Sequence, residues 1–369
     1  MKRALFVATV TGHILAFHTP YIKMLTEMGY SVDVAAYGDE HVPYAVKQFF
    51  LPFQRNPFSW HNLKAYRSLK KLIDANQYEL IHCHTPVAGI LTRFAARKAR
   101  RNGTRVLYTA HGFHFYKGAP LINWLLYYPA ELLCSNWTDT LITINHEDFE
   151  RASRHFHAAQ IEYVPGVGID VDKYANCAVD RAQKRREIGV PEDALLLISA
   201  GELNQNKNHE VIIKAIAQLH DPLVYLVLCG IGELREPLEA LARSLGVADR
   251  VLFLGYRADM PELYKVSDVF VFPSFREGLS ASLMEAMACG LAVICSDIRG
   301  NRDLITDNIN GLLCRQNIPE AYASCIEFLK DPAARLRLSG GLGGTLEPFS
   351  AGSVRRLMRK IYMNCPQSL

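Results

Sequence analysis

The stretch that most constrains this chain is residues 269–299, VFVFPSFREGLSASLMEAMACGLAVICSDIR. Residues 269–272 are a short unbroken apolar run, the pattern of a parallel strand covered on both faces. Pro273, Ser274 and Gly278 interrupt it. The helical pattern that follows puts Leu283, Met284, Met287 and Ala288 on one face, with Gly290 placed to end it. Residues 291–295 make a second buried strand. Strand, loop, helix and strand in that order set the loop and the helix start at the carboxyl edge of a parallel sheet, where open α/β folds bind ligands.

Two carboxylates fall in this unit, Glu277 in the loop and Glu285 on the helix face away from the apolar residues, spaced E-x7-E. A loop glutamate beside exposed helical amides can accept hydrogen bonds from a polyol while the amides hold a phosphate. Spacing alone favours two solvated glutamates. The wording around them, P-S-F-R-E-G-L-S-A-S-L-M-E-A-M-A-C-G-L-A-V-I, resembles the signature of family-4 retaining glycosyltransferases with the GT-B fold. The resemblance continues in blocks along nearly the whole chain. It implies that Glu277 touches donor-sugar hydroxyls and that Glu285 touches the ribose of the nucleotide.

At 369 residues the chain exceeds one typical core, so two domains are expected. The formal charge of +4 does not argue for a nucleic-acid partner. Its distribution is uneven: residues 1–168 hold 18 Lys+Arg against 12 Asp+Glu, and 11 of the 13 histidines, so the remainder is net acidic. Nine cysteines without a C-x-x-C pair suit reduced thiols and a cytoplasmic compartment. The apolar run at 4–10, behind Lys2 and Arg3, is short for a signal peptide, lacks a clear cleavage site and reads better as the first strand. No stretch is long and apolar enough to span a bilayer.

After that strand, Thr11, Gly12 and His13 open a loop. The family has a more glycine-rich turn here, and Gly12 stands almost alone to allow close backbone approach to a donor. Residues 79–83 form another strand running into His82-Cys83-His84-Thr85-Pro86, with His82 and His84 on one face. Together with His111 and His114 they raise a metal site. No carboxylate partners are evident and the same H-x-H-T-P wording occurs in metal-free family members, so structural or substrate-contacting histidines are expected instead. Residues 105–110 form a strand ending at His111-Gly112, which places His111 at the sheet's carboxyl end. The resemblance implies that His111 contacts donor sugar and phosphate; His114 has no such support.

Arg93, Arg97, Arg100 and Arg101 recur at helical spacing with Lys98 between them, and residues 121–134 carry Trp124, Leu125, Leu126, Tyr127 and Tyr128. The apolar run alone favours a core helix. Beside a basic helix it suits a core position and a membrane surface equally, so docking on an anionic membrane enters as an expectation. Residues 165–170, PGVGID, read as the linker between domains. Asp170-x-Asp172 is part of it and not a metal site.

Residues 194–200 begin the second domain and lead into Gly201-Glu202-Leu203-Asn204-Gln205-Asn206-Lys207. The family's G-R-L-x-x-x-K sets an arginine and a lysine against the donor diphosphate. Lys207 matches; Glu202 departs, and a carboxylate there repels phosphate. Arg276 and the amides near Gly278 and Leu279 are candidates to replace the arginine. Gly230-Ile231-Gly232 is by itself a weak nucleotide signal. Gly255-Tyr256-Arg257 resembles the segment whose backbone reads the nucleobase. Residues 348–350 and a helix at 354–362 resemble the C-terminal helix that crosses back onto the first domain, while the glycine-rich 338–345 departs from the family wording.

The resemblance therefore implies an α/β protein of two Rossmann-like domains facing across a cleft: residues 1–168 on the acceptor side, 169–347 holding the donor nucleotide, and 348–369 returning to the first. The implied reaction moves a hexose-type sugar from a nucleoside diphosphate, UDP foremost, to a glycan or polyprenyl-diphosphate-linked acceptor in surface-polysaccharide assembly. Configuration is retained and no metal cofactor is needed. His111, Glu277 and Lys207 would act on the reacting groups. Glu285, Gly12, Arg276, Gly278, Leu279 and Tyr256 would hold the donor. Glu202, His13 and His84 stand nearby without a firm role. The alternatives are a sugar-nucleotide epimerase of the same fold, which has no need of the E-x7-E wording, and an inactive sugar-nucleotide-binding subunit, for which Glu202 is the only hint.

Overall fold

Seven strands, β1 (Lys2–Val10), β2 (Tyr30–Tyr37), β3 (Lys47–Phe50), β4 (Leu80–His84), β5 (Arg105–Ala110), β6 (Thr140–Thr143) and β7 (Gln160–Tyr163), form one parallel sheet in the order β3-β2-β1-β4-β5-β6-β7. A second parallel sheet, in the order β10-β9-β8-β11-β12-β13, is built from β8 (Leu195–Ala200), β9 (Val224–Cys229), β10 (Val251–Gly255), β11 (Val269–Phe272), β12 (Ala292–Ser296) and β13 (Leu312–Cys314). The computed structural model describes residues 2–340 and 345–364. It divides into two units, one of residues up to Val167 together with those from Gly352 onward, the other Gly168–Ala351.

The central strands are buried on both faces, which is why they read as continuous apolar runs. Leu5 and Val7 enter one core with Ile81, Val106 and Tyr108, while Ala4, Phe6 and Ala8 enter the other with Val34, Leu80 and Leu107. In the second unit Leu196, Ile198 and Phe270 face one side, and Leu197, Val269 and Val271 the other. Strand order reverses between β1 and β4 in the first sheet, and between β8 and β11 in the second. Those switch points leave a crevice at the strands' carboxyl ends because the flanking connections run to opposite faces. Lys207 and Glu277 follow β8 and β11; His13 and His84 follow or end β1 and β4.

The helix Ala351–Met363 lays Val354, Met358, Ile361 and Tyr362 on the Phe6 and Leu107 side of the first sheet. Its end is pinned there: the Tyr362 hydroxyl and His82 Nδ1 are 2.9 Å apart, and the Arg105 guanidinium donates to the Ile361 and Tyr362 carbonyls, each at 2.9 Å.

Several expectations need correction. β1 runs directly into a helix, Thr11–Phe17, where a loop was expected. β3 and β13 were not anticipated: β3 is a short edge strand with Lys47 and Gln48 in it, and β13 has three residues. The units part between Val167 and Gly168 and again between Ala351 and Gly352, where 168/169 and 347/348 were expected. Of the glycine-rich 338–345, residues 341–344 lie outside the described residues.

The basic face expected on the helix Pro86–Arg101 is corrected most. Arg93 is buried, donating to Glu131 at 2.7 Å and to the Gly89 carbonyl at 3.0 Å, with its guanidinium 3.9 Å from the Tyr108 ring centroid. Tyr108 adds a hydrogen bond to Glu131 at 3.0 Å. Arg100 pairs with Asp139, and Arg97 lies over the Phe94 and Trp137 rings. On the helix Leu121–Ser135 the aromatics Trp124, Tyr127 and Tyr128 pack against the core, and the most exposed large apolar residues are Leu121, Ile122 and Leu125, at 72%, 57% and 64%. Among the described residues no helix is long and apolar enough to cross a membrane.

Candidate active site

At the switch point of the second sheet the chain leaves β8 through Gly201 and tightens into a 3-10 turn, Gln205–Lys207, capped by the Asn204 side chain, which accepts from the Lys207 amide at 3.1 Å. The turn delivers Lys207 Nζ to Glu277 Oε1 at 2.7 Å and 4.7 Å from the Phe272 ring centroid. The Glu277 loop is tied to the same turn. The Phe275 amide donates to the Asn206 carbonyl at 2.8 Å, and Asn206 Nδ2 donates to the Arg276 carbonyl at 2.9 Å. On its other side Arg299 Nε donates to the Glu277 carbonyl at 3.3 Å, and Gly300, at φ +72°, has room for no Cβ beside the Gly278 carbonyl. Asn206, Arg299 and Gly300 thus position Glu277. Sequence reasoning missed all three because backbone contacts between distant loops leave no local pattern.

The helix Ala281–Ala288 follows, its first turn capped by Ser280 Oγ, which accepts from the Leu283 amide at 3.3 Å. Glu285 is half-buried on this helix. The phenol of Tyr264 donates to it at 3.5 Å, and the phenol of Tyr174 lies near enough to favour its charged form. Burial raises the Glu285 carboxyl above its ordinary range, and the two phenols oppose that shift. Glu285, Lys207, Glu202 and Tyr256 line one cavity of about 630 Å³, within the size range of small-ligand sites. Its wall includes Gly201 and residues 230–232. A Cβ on Gly230 would collide with the Gly201 carbonyl, and one on Gly232 with the backbone of Leu203. Both positions therefore need glycine to let the two loops lie side by side.

Tyr256 is 78% exposed at the cavity edge. Glu202 is exposed and accepts from Asn204 Nδ2 at 2.9 Å. Of the cations in the lining, Arg257 is committed to Asp259 at 2.7 Å and Lys207 shares Glu277. Arg276, Gly278 and Leu279 stand in the adjoining loop and are not among the residues lining the cavity.

In the first unit His13, His18, His84 and His111 converge at the β1/β4 switch point. His13 Nε2 lies 3.2 Å from His18 Nε2, and His111 Nε2 lies 3.4 Å from His84 Nδ1. The His18 and His84 rings stack with centroids 3.7 Å apart. His82 turns away to Tyr362 and Thr109, at 2.9 and 2.8 Å. Burial holds these imidazoles neutral: it lowers His13 to about 4 and His82 to about 3, and carries His18, His84 and His111 well below their usual value. Neighbouring imidazoles add to it for His18, His84 and His111, and Arg55 adds to it for His13. The expected grouping is corrected here as well. His114 leaves it, its ring lying 4.5 Å from Tyr127, and His18 joins it. Gly12 sits exposed in the helix with nothing within 4 Å of where a Cβ would stand, so its conformation makes no special demand for glycine.

Residues 180–340 match the family model "Glycosyl transferases group 1", and residues 21–173 match "Glycosyltransferase Family 4". The chain is 44% identical to EpsD of Bacillus subtilis, described as a glycosyltransferase, over 98% of this chain and 96% of that one. It is 30% identical to the Escherichia coli UDP-Gal:alpha-D-GlcNAc-diphosphoundecaprenol alpha-1,3-galactosyltransferase, over 78% and 76% respectively. Among solved structures, Anabaena HepE in complex with UDP and glucose superposes with a TM-score of 0.79 at 19% identity, covering 98% of this chain and 99% of that one. WaaG, a glycosyltransferase involved in lipopolysaccharide biosynthesis, gives a TM-score of 0.75 at 17% identity, covering 98% and 100%.

Proposed function

Because the chain belongs to glycosyltransferase family 4 and has the GT-B fold, we propose that it transfers a hexose-type sugar from UDP to a glycan or polyprenyl-diphosphate-linked acceptor, with retention and without a metal. One observation carries this reading. A single cavity in the second unit presents Lys207 and Glu285, and Glu277 is held on Lys207 beside it. The names of relatives support the ligands: the Escherichia coli enzyme uses UDP-Gal and a diphosphoundecaprenol acceptor, and HepE was crystallised with UDP and glucose.

In this reaction the bond between the anomeric carbon and the diphosphate oxygen breaks, an acceptor hydroxyl bonds to that carbon from the same face, and the hydroxyl proton leaves with the diphosphate. Negative charge grows on the diphosphate as the sugar becomes cationic. Lys207 and the amides at the start of the helix Ala281–Ala288 meet the first charge. Glu277 accepts from sugar hydroxyls and Glu285 from the ribose. The role of His111 as a sugar contact rests on the family resemblance. Lys207 and these amides do the work that a cation would otherwise do at the diphosphate, so transfer should persist in EDTA.

For a lipid-linked acceptor, docking on an anionic membrane would use Leu121, Ile122 and Leu125, with exposed Arg97, Lys98 and Arg101 on the helix Pro86–Arg101, which meets the helix Leu121–Ser135 through the Arg93–Glu131 pair. The test is a panel of sugar nucleotides against lipid-linked and free acceptors, with EDTA present. Products are read by mass and anomeric configuration. UDP release that ignores the acceptor, or a product of inverted configuration, would overturn the reading.

A further inference from the structure

The first unit gathers more imidazole than a single sugar contact uses. One ring nitrogen from each of His13, His18 and His111 lies within 4.8 Å of the other two. We propose that these three histidines bind a borderline divalent transition-metal ion of the Zn²⁺ class, and that its occupation slows sugar transfer by withdrawing His111 from the donor.

The geometry is close to what such an ion requires. Tetrahedral zinc with Zn–N bonds of about 2.0–2.1 Å sets its nitrogens roughly 3.3–3.4 Å apart. His13 Nε2 and His18 Nε2 are already 3.2 Å apart. Without an ion, two neutral imidazoles at that separation share one hydrogen bond. An ion between them would satisfy both lone pairs and bring in the third ring. The His13 and His111 rings meet edge to face at 4.7 Å, so a small rotation of either changes the nitrogen spacing without rebuilding the backbone.

Two further observations point to a ligand. His18 Nδ1 and His84 Nε2 are buried polar atoms without a hydrogen-bond partner, and such atoms are uncommon in a finished core. A void of about 10 Å³, near the least that accepts one water-sized body, borders His18 and His111, two of the three proposed ligands, and His84, but not His13. His84 Nδ1 stands 3.4 Å from His111 Nε2, where it can hold the His111 ring as a second-shell partner orients a ligating imidazole.

The donor set decides the class of ion. Three nitrogens and no carboxylate suit zinc, nickel or copper, and do not suit magnesium or calcium. His13 and His111 are only half-buried, which leaves a way in, while His18 closes the inner side.

The site itself stands apart from the proposed reaction; the inhibition rests on the role given there to His111. The test begins with metal-stripped full-length protein titrated with Co²⁺ at pH 7.5 and read by the visible absorption of four-coordinate cobalt. One equivalent should saturate the signal and Zn²⁺ should erase it. His13→Gln should weaken binding more than about 100-fold, beyond what losing an outer-shell partner produces. His18→Asn should do the same, and if that protein fails to fold, the half-exposed His13 carries the test alone. The double variant His155→Gln, His157→Gln, altered only at exposed surface histidines, should bind as wild type does. No saturable cobalt signal in the wild type, or equal affinity in His13→Gln, overturns the site. Tight Zn²⁺ binding with unchanged transfer keeps the site and overturns both the inhibition and the sugar contact assigned to His111.

Discussion

Glu277→Gln should separate nucleotide binding from turnover. The wild-type carboxylate lies 2.7 Å from Lys207 Nζ, with the two side chains 15% and 18% exposed. Unit charges at that distance attract by about 1.5 kcal/mol at the dielectric of water and by about 6 kcal/mol at an effective value of 20. This pair sits between those limits, and Lys207 must give up part of that attraction to meet a diphosphate. Glutamine keeps the shape and one hydrogen bond but removes the charge. UDP affinity should therefore hold or rise by up to about tenfold, a gain of ~1.4 kcal/mol. Turnover should fall about a hundred- to a thousandfold, the ~2.7–4 kcal/mol typical of one lost transition-state contact. Calorimetry with UDP gives the first quantity and acceptor-dependent UDP release the second. A folded mutant with tenfold weaker UDP binding and normal turnover would refute the reasoning and move Glu277 to the nucleotide.

Glu285→Gln should instead weaken UDP binding itself, and wild-type affinity by calorimetry would remove the ribose contact. Glu131→Ala strands the buried Arg93 guanidinium and should destabilise by about 3–5 kcal/mol, a fall of roughly 6–20 °C in melting temperature for a unit of this size; an unchanged melt would mean that Arg93 finds water. Leu121→Asp with Leu125→Asp should reduce co-sedimentation with anionic vesicles while leaving UDP affinity alone, and full sedimentation of the variant would end the docking proposal. Acid should loosen the first unit. The imidazoles of His13 and His82 sit at about 4 and 3 when folded, below the ordinary 6.5, so the unfolded chain binds more protons between those values. Stability is then lost as pH falls from 6.5 and levels off only near 3–4. Melting temperatures that match at pH 7.5 and 5.0 would contradict this.

The strands and the E-x7-E helix were legible because a strand buried on both faces leaves an unbroken apolar run, and because Glu277 and Glu285 sit close in sequence within one local unit. The strand before it carries His111 to the sheet edge, but the choice of His111 and Lys207, like that of Glu277 and Glu285, rested on the family resemblance, because spacing alone favours structural histidines and solvated glutamates. What escaped was non-local. The spacing of Arg93 with Arg97 and Arg100 is that of a solvated basic face, and nothing within reach of the helix reveals that Glu131 neutralises Arg93 in the core. The aromatics of residues 121–134 were weighed as the membrane contact, yet a bulky ring gains more from core packing, and the leucines beside them face outward. His18 was missed because its link to His13 and His84 depends on a helix starting at Thr11, where the lone Gly12 suggested a turn.

The helix Ala351–Met363 has a consequence for how the protein is made. Its residues Val354, Met358, Ile361 and Tyr362 close a face of the sheet that contains the strand Lys2–Val10, so two segments far apart in the sequence share one core. A ribosome adding ~5–20 residues per second needs on the order of 10–40 s to go from Val167 to that helix. Through that interval Phe6, Val34 and Leu107 lack their lid, while the second sheet completes from consecutive residues. The unit begun first is finished last, and the nascent chain has a built-in waiting period during which an apolar sheet face is open to chaperones or to a neighbouring chain.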